Sequence, residues 1–161
     1  MKNDLNNSGD LCGLCGEATA RDEEGIPYII CRSCFNRMLK VSPTYKRQLD
    51  ELPFGVIDLD REATILAFNK TEAELAKLQA EKVIGRNFFT EVAPCTAVKE
   101  FEGRFQEFMH NDEQMMRFDF TFSFKDAPVA VDIFFLRVNA QRNLNTGEPH
   151  AARIIVKRIT D

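Results

Sequence analysis

The chain has 161 residues, of which 44% are hydrophobic, and a formal net charge of −4 at pH 7. This length suits one full domain with a small appendage, and the negative charge argues against a general nucleic-acid-binding protein. No apolar run is long enough to span a bilayer, and the polar start lacks the apolar region of a signal peptide. We therefore expect a cytoplasmic protein with no membrane partner.

Four cysteines near the start of the chain have the spacing of a zinc site. The pairs Cys12/Cys15 and Cys31/Cys34 each enclose two residues, and fifteen residues lie between the pairs. Each pair can turn both sulfurs toward one ion, and two pairs complete a tetrahedron of thiolates with no open position. We predict a structural Zn²⁺ in a zinc-ribbon or treble-clef module over residues 1–43. The alternatives are two disulfides, which the expected compartment disfavours, and a redox pair, which lacks a βαβ context.

The segment that follows is basic and has a helical pattern. Phe35, Met38 and Leu39 recur with the spacing of an amphipathic helix. Five basic residues and no acid occur within Arg32–Arg47. This charge invites a DNA-binding interpretation, although a solvated helix face explains it as well. Residues 44–52 are predicted to form a short helix that links two folded units.

From residue 53 onward, the pattern predicts an α+β domain. Apolar runs and alternations predict strands at residues 54–59, 64–69, 118–124, 129–138 and 152–159, and helices at residues 71–82 and 101–110. Thr71 and Glu74 have the spacing of a capping box at the start of the first of these helices. This order, with two strands before the helices and three after them, indicates an antiparallel sheet with packed helices.

A fifth cysteine lies alone between these two predicted helices. Gly85 permits backbone angles that are closed to other residues, and Pro94 fixes the backbone immediately before Cys95. Phe88 and Phe89 supply apolar anchors for the same stretch. The simplest interpretation of an isolated cysteine is a buried structural thiol, because free cysteine is among the most buried residue types.

Several stretches of the second domain form an unusual joint pattern. They are Leu52-Pro-Phe-Gly-Val-Ile57, Val83-Ile-Gly-Arg-Asn-Phe-Phe89, Val92-Ala-Pro-Cys-Thr96 and Val156-Lys-Arg158. Together they resemble photoactive yellow protein, a family of blue-light receptors, over about residues 49–159. The resemblance implies a PAS fold, which is a five-stranded antiparallel sheet with helices packed on one face. It also implies that Cys95 holds p-coumaric acid through a thioester and that Glu72 holds the chromophore's phenolate.

The sequence departs from this family at four positions of the expected pocket. Phe68 replaces a tyrosine that donates to the phenolate, Ala76 replaces a supporting threonine, and Leu78 replaces an arginine that covers the pocket. A polar turn around Asp126 replaces a methionine associated with thermal recovery. Losing a donor to a buried phenolate costs about 1.5–3 kcal/mol, so we expect the ionised chromophore to be less favoured than in the family.

The predicted function is sensory signalling by a PAS domain at residues 53–161, with Cys95, Glu72 and Phe68 at the chromophore site. Its expected partner is a downstream signalling protein or a second copy of the chain. Two alternatives stay open. One is a light-independent PAS module for protein–protein contacts, and the other is a zinc-anchored transcriptional regulator that contacts DNA through Arg32–Arg47. An enzyme is not expected, because the sequence offers no nucleophile–base pair and no phosphate-binding loop.

Overall fold

The computed structural model of the protein describes residues 12–16, 34, 46–96, 99–111, 113–123, 126–137 and 152–159. The chain divides into two units, Met1–Ser42 and Pro43–Asp161. The predicted ligand Cys31 and the predicted helix with Phe35, Met38 and Leu39 lie outside the described residues. Within the described segments, no helix is both long and apolar enough to cross a membrane.

The second unit is built on a five-stranded antiparallel sheet. Its strands are β1 (Gly55–Leu59), β2 (Ile65–Phe68), β3 (Met115–Ser123), β4 (Pro128–Leu136) and β5 (Ala152–Arg158). Their spatial order is β2-β1-β5-β4-β3, so the last strand of the chain lies at the centre. The predicted sheet is confirmed, although β3 begins at Met115 rather than at residue 118.

In the described part of the chain, one helix precedes β1 and three connect the first strand pair to the second part of the sheet. They are α1 (Lys46–Asp50), α2 (Lys70–Ala76), α3 (Ala80–Val83) and α4 (Phe101–His110). Between α3 and α4, a π-helical turn at Phe88–Val92 and a 3₁₀ turn at Pro94–Thr96 follow each other. We call residues 88–96, which comprise these two turns and the residue between them, the cysteine loop, because they carry Cys95.

The continuous helix predicted over residues 71–82 is wrong, because two short helices occupy this segment. α2 ends at Lys77, which adopts left-handed backbone angles of φ 56° and ψ 43°. The Lys77 N–H donates to the carbonyls of Ala73 and Glu74, which closes the last turn. A new helix, α3, then begins at Ala80.

The predicted capping box of Thr71 and Glu74 is also wrong, because α2 begins two residues before Glu72 and is capped by Asn69. The Asn69 Oδ1 accepts from the backbone N–H of Glu72 at 3.0 Å. The Thr71 hydroxyl instead donates to the carbonyl of Leu52 at 2.7 Å. Asparagine is among the strongest N-caps, which explains why the helix begins at this point.

The core lies between the helices and one face of the sheet. Inward residues of the strands are fully or almost fully buried there: Ile57, Leu59, Ile65, Val131, Ile133, Phe135, Ile154 and Val156. Phe101 of α4 contacts phenylalanine rings of the cysteine loop, β3 and β4, at centroid distances from 5.1 to 6.4 Å. Burying one such side chain stabilises the fold by about 1.5–3 kcal/mol, so this cluster fixes α4 and the cysteine loop against the sheet.

Candidate functional site

A pocket of about 220 Å³ is lined by α2, the cysteine loop and β3 of the second unit. Its walls are mainly apolar and include Phe68, Glu72, Ala76, Leu78, Phe88, Val92, Ala93, Pro94, Cys95 and Phe122. The structure therefore brings together Phe68, Glu72 and Cys95, the three residues assigned to the chromophore site on the basis of sequence. The substituted positions Ala76 and Leu78 line the same pocket.

Cys95 is an exposed thiol at the edge of this pocket and forms no disulfide. The interpretation of Cys95 as a buried structural thiol is therefore wrong. Its neighbour Thr96 is the buried residue, with the hydroxyl donating to the Ala93 carbonyl at 2.6 Å. This local hydrogen bond directs Thr96 inward and leaves the preceding thiol at the surface of the loop.

The cysteine loop is held at its beginning. Asn87 caps its first turn, because the Asn87 Oδ1 accepts from the backbone N–H groups of Phe89 and Thr90, each at 3.0 Å. Phe88 and Phe89 are buried in the core, as predicted. Gly85 adopts φ 85°, which confirms that a glycine is needed where the chain enters the loop.

Glu72 is buried in the pocket wall, with only 3% of its surface exposed. Its Oε2 has no hydrogen-bond partner among the described residues. Burial raises the pKa of the Glu72 carboxyl to about 8, because desolvation disfavours the charged form. At pH 7 the group is therefore mainly neutral and can donate a hydrogen bond.

Asn69 holds Glu72 in place and was missed as a site residue in the sequence analysis. Its Nδ2 donates to the carbonyls of Leu49 and Phe54, each at 2.9 Å. Its Oδ1 accepts from the N–H groups of Val56 and Glu72, at 2.9 and 3.0 Å. The available signal was an asparagine immediately before a helical run, which is typical of an N-cap.

At the substituted position Leu78, the lining of the pocket is exposed to solvent. Leu78 is 38% exposed. The neighbouring Lys77 forms an ion pair with Asp126, in the turn between β3 and β4. Both side chains are mostly exposed, so we assign the pair little stabilising energy.

The first unit contains a cluster of cysteine sulfurs. The Sγ atoms of Cys12, Cys15 and Cys34 all lie within 4.8 Å of one another. The Leu14 N–H donates to Cys12 Sγ at 3.4 Å, and the Gly16 N–H donates to the Cys12 carbonyl at 2.9 Å. These bonds form a tight turn that presents two sulfurs to one point. The cluster is compatible with a metal ion, and it joins three of the four ligands predicted from the spacing.

Comparison with known proteins identifies the family of the second unit. A family profile described as PAS fold matches residues 44–151. Photoactive yellow protein from Rhodothalassium salexigens is 42% identical over 90 residues, which cover 56% of this chain and 72% of that protein. The chain belongs to the photoactive yellow protein family.

Further relatives support the same assignment. Photoactive yellow protein from Cereibacter sphaeroides is 41% identical over 87 residues, which cover 54% of this chain and 70% of that protein. The solved photoactive yellow protein domain of the sensor histidine kinase Ppr from Rhodospirillum centenum is 39% identical, with a TM-score of 0.61. The structural match covers 70% of this chain and 91% of that domain. The predicted PAS fold and the predicted resemblance to photoactive yellow protein are confirmed.

Proposed function

We propose that this protein is a cytoplasmic light sensor in which p-coumaric acid is attached to Cys95 through a thioester. The observation that carries this proposal is the pairing, in one apolar pocket, of the exposed Cys95 thiol with the buried Glu72 carboxyl. An apolar cavity of about 150 Å³ can hold benzene. The volume of about 220 Å³ found here therefore suits a phenol ring with a short chain.

The residues of the pocket have separate roles in this proposal. When bound, p-coumaric acid supplies the light-absorbing group and its isomerisation. Cys95 provides the sulfur of the thioester. Glu72 donates a hydrogen bond to the phenolic oxygen, since its carboxyl is neutral at pH 7 and its Oε2 has no hydrogen-bond partner within the described chain. Phe68 shapes the wall of the pocket but has no donor to offer.

Replacing Phe68 by tyrosine tests this arrangement. A hydroxyl at this position adds a donor to the phenolate, worth about 1.5–3 kcal/mol, which corresponds to about one to two pKa units. We expect Phe68→Tyr to lower the pKa of the bound chromophore by that amount and to move its absorption to longer wavelength. The measurement is a pH titration of the absorption spectrum of protein reacted with activated p-coumaric acid.

Phe122→Tyr is the matched control, because it adds the same hydroxyl elsewhere on the pocket wall. It should shift the chromophore pKa less than Phe68→Tyr does. Equal shifts in the two variants would contradict the assigned position of the phenolic oxygen.

The second part of the proposal is a structural Zn²⁺ bound by Cys12, Cys15, Cys31 and Cys34. The clustered sulfurs of Cys12, Cys15 and Cys34 support it, and so does the N–H donated to Cys12 Sγ. Thiolates at this spacing suit zinc in a four-coordinate site that is closed to substrates. The ion would stabilise the first unit and take no part in light absorption.

The signal produced in the PAS domain is proposed to pass through residues 44–52. It would reach a downstream signalling protein or a second copy of the chain, with no enzymatic step in this protein. Support comes from the related domain of Ppr, which belongs to a sensor histidine kinase. Titration with random duplex DNA separates this proposal from a DNA-binding regulator. Tight, salt-dependent binding that is lost when Arg32, Arg37 and Lys40 are neutralised would favour the regulator.

A further inference from the structure

Gly55, the first residue of β1, occupies a point where no side chain fits. A Cβ at this position would lie 2.0 Å from Glu72 Oε2, 3.1 Å from its Cδ and 3.2 Å from its Cβ. The first distance is far inside van der Waals contact, so a methyl group and the carboxyl cannot both occupy their places. Gly103 in α4 gives the contrast, because a Cβ there meets nothing within 4 Å.

The start of α2 is fixed against β1 on both sides of Gly55. The Asn69 Nδ2 donates to the Phe54 carbonyl at 2.9 Å. On the other side, the Val56 N–H donates to Asn69 Oδ1 at 2.9 Å, and the Asn69 N–H donates to the Val56 carbonyl at 3.1 Å. The helix cannot withdraw from the strand without breaking these buried bonds, each of which is costly to leave unmade. A side chain at position 55 would therefore displace the Glu72 carboxyl rather than the helix.

The pocket is the open space next to this carboxyl, because Glu72 forms part of its wall. With glycine at position 55, the carboxyl lies against β1, where its Oε2 is buried without a hydrogen-bond partner in the described structure. A displaced carboxyl would enter the pocket, reduce its depth and gain access to water. The absence of a side chain at Gly55 thus determines both the position of the Glu72 carboxyl and its access to water.

We infer that Gly55 is a positioning residue that sets how deeply the Glu72 carboxyl lies in the pocket wall, and so where it meets the phenolic oxygen of a ligand. The presence of a phenolic ligand rests on the proposed function. The place of the carboxyl against β1 is a property of the polypeptide alone and can be tested on unliganded protein.

The first test is a double-mutant cycle in urea or thermal unfolding. Gly55→Ala should lower the Tm, since Glu72 must give way at its Cδ and Cβ, which would lie 3.1 and 3.2 Å from the new methyl group. In a Glu72→Ala background, the same change should lower the Tm less, because the contacts with Oε2 and Cδ are gone and only the one with the Cβ at 3.2 Å remains. If Gly55→Ala alone does not fold, recovery of folding in the double variant is the expected result. An equal loss in both backgrounds would overturn the inference.

The second test measures the protonated Glu72 carboxyl directly, by infrared spectroscopy of unliganded protein. The carbonyl stretch of protonated Glu72 is identified by its absence in Glu72→Gln. Gly55→Ala should shift this band and lower its titration midpoint toward the ordinary glutamate range, whereas Gly103→Ala should change neither. An unmoved band in folded Gly55→Ala would overturn the inference. A failure of Cys95 to accept p-coumaric acid would instead count against the proposed function and leave both of these measurements intact.

Discussion

At the level of single residues, Glu72 and Cys95 differ in their access to water although they line the same pocket. Glu72 is buried, and its raised pKa keeps the carboxyl neutral at pH 7. Cys95 is exposed on a loop whose neighbouring phenylalanines are buried. A reagent can therefore reach the thiol from solvent, while the carboxyl is available only to a group that enters the pocket.

Glu72 should make the stability of the protein depend on pH. Its pKa is about 8 in the folded state against an ordinary value of 4.5, so the folded state keeps a proton that the unfolded state releases. The stabilising contribution is complete below pH 4.5 and is lost as the pH rises toward 8. The free energy of unfolding should fall by up to about 1.4 kcal/mol per pH unit across this window.

Glu72→Gln should abolish this slope, because glutamine does not titrate. The measurement is urea unfolding at a series of pH values from 5 to 8. Glu74→Gln, at an exposed position of the same helix, should keep the slope of the parent protein. A Glu72→Gln variant with an unchanged slope would show that another group is responsible.

The resemblance named three residues that line the pocket, but the sequence did not predict their environment. Cys95, Glu72 and Phe68 were assigned by resemblance, and the structure places all three on one pocket. The missing partner of the Glu72 carboxyl and its contact with position 55 depend on how α2 lies on β1. A linear pattern carries no information about that packing.

At the level of secondary structure, Asn69 connects three elements through one side-chain amide. It bonds α1 through Leu49, the segment into β1 through Phe54 and Val56, and the first turn of α2 through Glu72. These bonds lie in the interior, because Asn69 is almost completely buried. The position of Glu72 in the pocket thus depends on a residue that does not line it.

Asn69→Ala should destabilise the second unit by about 3 kcal/mol, because it removes an N-cap and leaves buried backbone groups without partners. Urea unfolding measures this loss. The control is Asn111→Ala, where the side chain accepts from the Glu113 N–H in an exposed setting. It should cost about 1 kcal/mol or less. A similar cost for the two changes would contradict the role given to Asn69.

The strands were easier to predict than the helices. Alternating phenylalanines mark β3, and apolar runs mark the central strands, because burial on a sheet imposes a simple period. The segment 71–82 is rich in alanine and charged residues, which favour a helix. Its interruption at Lys77 comes from a left-handed residue whose N–H closes α2, and helix propensity does not reveal such a stop.

At the level of the complete chain, the two units should respond differently to loss of metal. Zinc binding to thiolates supplies about 10–16 kcal/mol, and this energy is inseparable from folding of a small module. Freshly purified, reduced protein should contain about one zinc per chain. Chelation should raise hydrogen exchange in residues 11–40 and leave protection in the PAS sheet unchanged.

Two serine variants test whether zinc depends on the cysteines of the first unit. Cys12→Ser should lose the metal, because Cys12 lies in the cluster of sulfurs. Cys95→Ser should keep it, because Cys95 lies in the other unit. Metal analysis that finds less than about half an equivalent in the parent protein would contradict the zinc site.

Acylation of Cys95 tests the photoreceptor assignment most directly. Protein is treated with activated p-coumaric acid, and the modified peptide is located by mass spectrometry. We expect one acyl group per chain, on Cys95, together with a near-visible absorption band that light alters and Cys95→Ser abolishes. The chain has no tryptophan and two tyrosines, so such a band is readily assigned. Colourless protein with Cys95 unmodified would contradict the assignment.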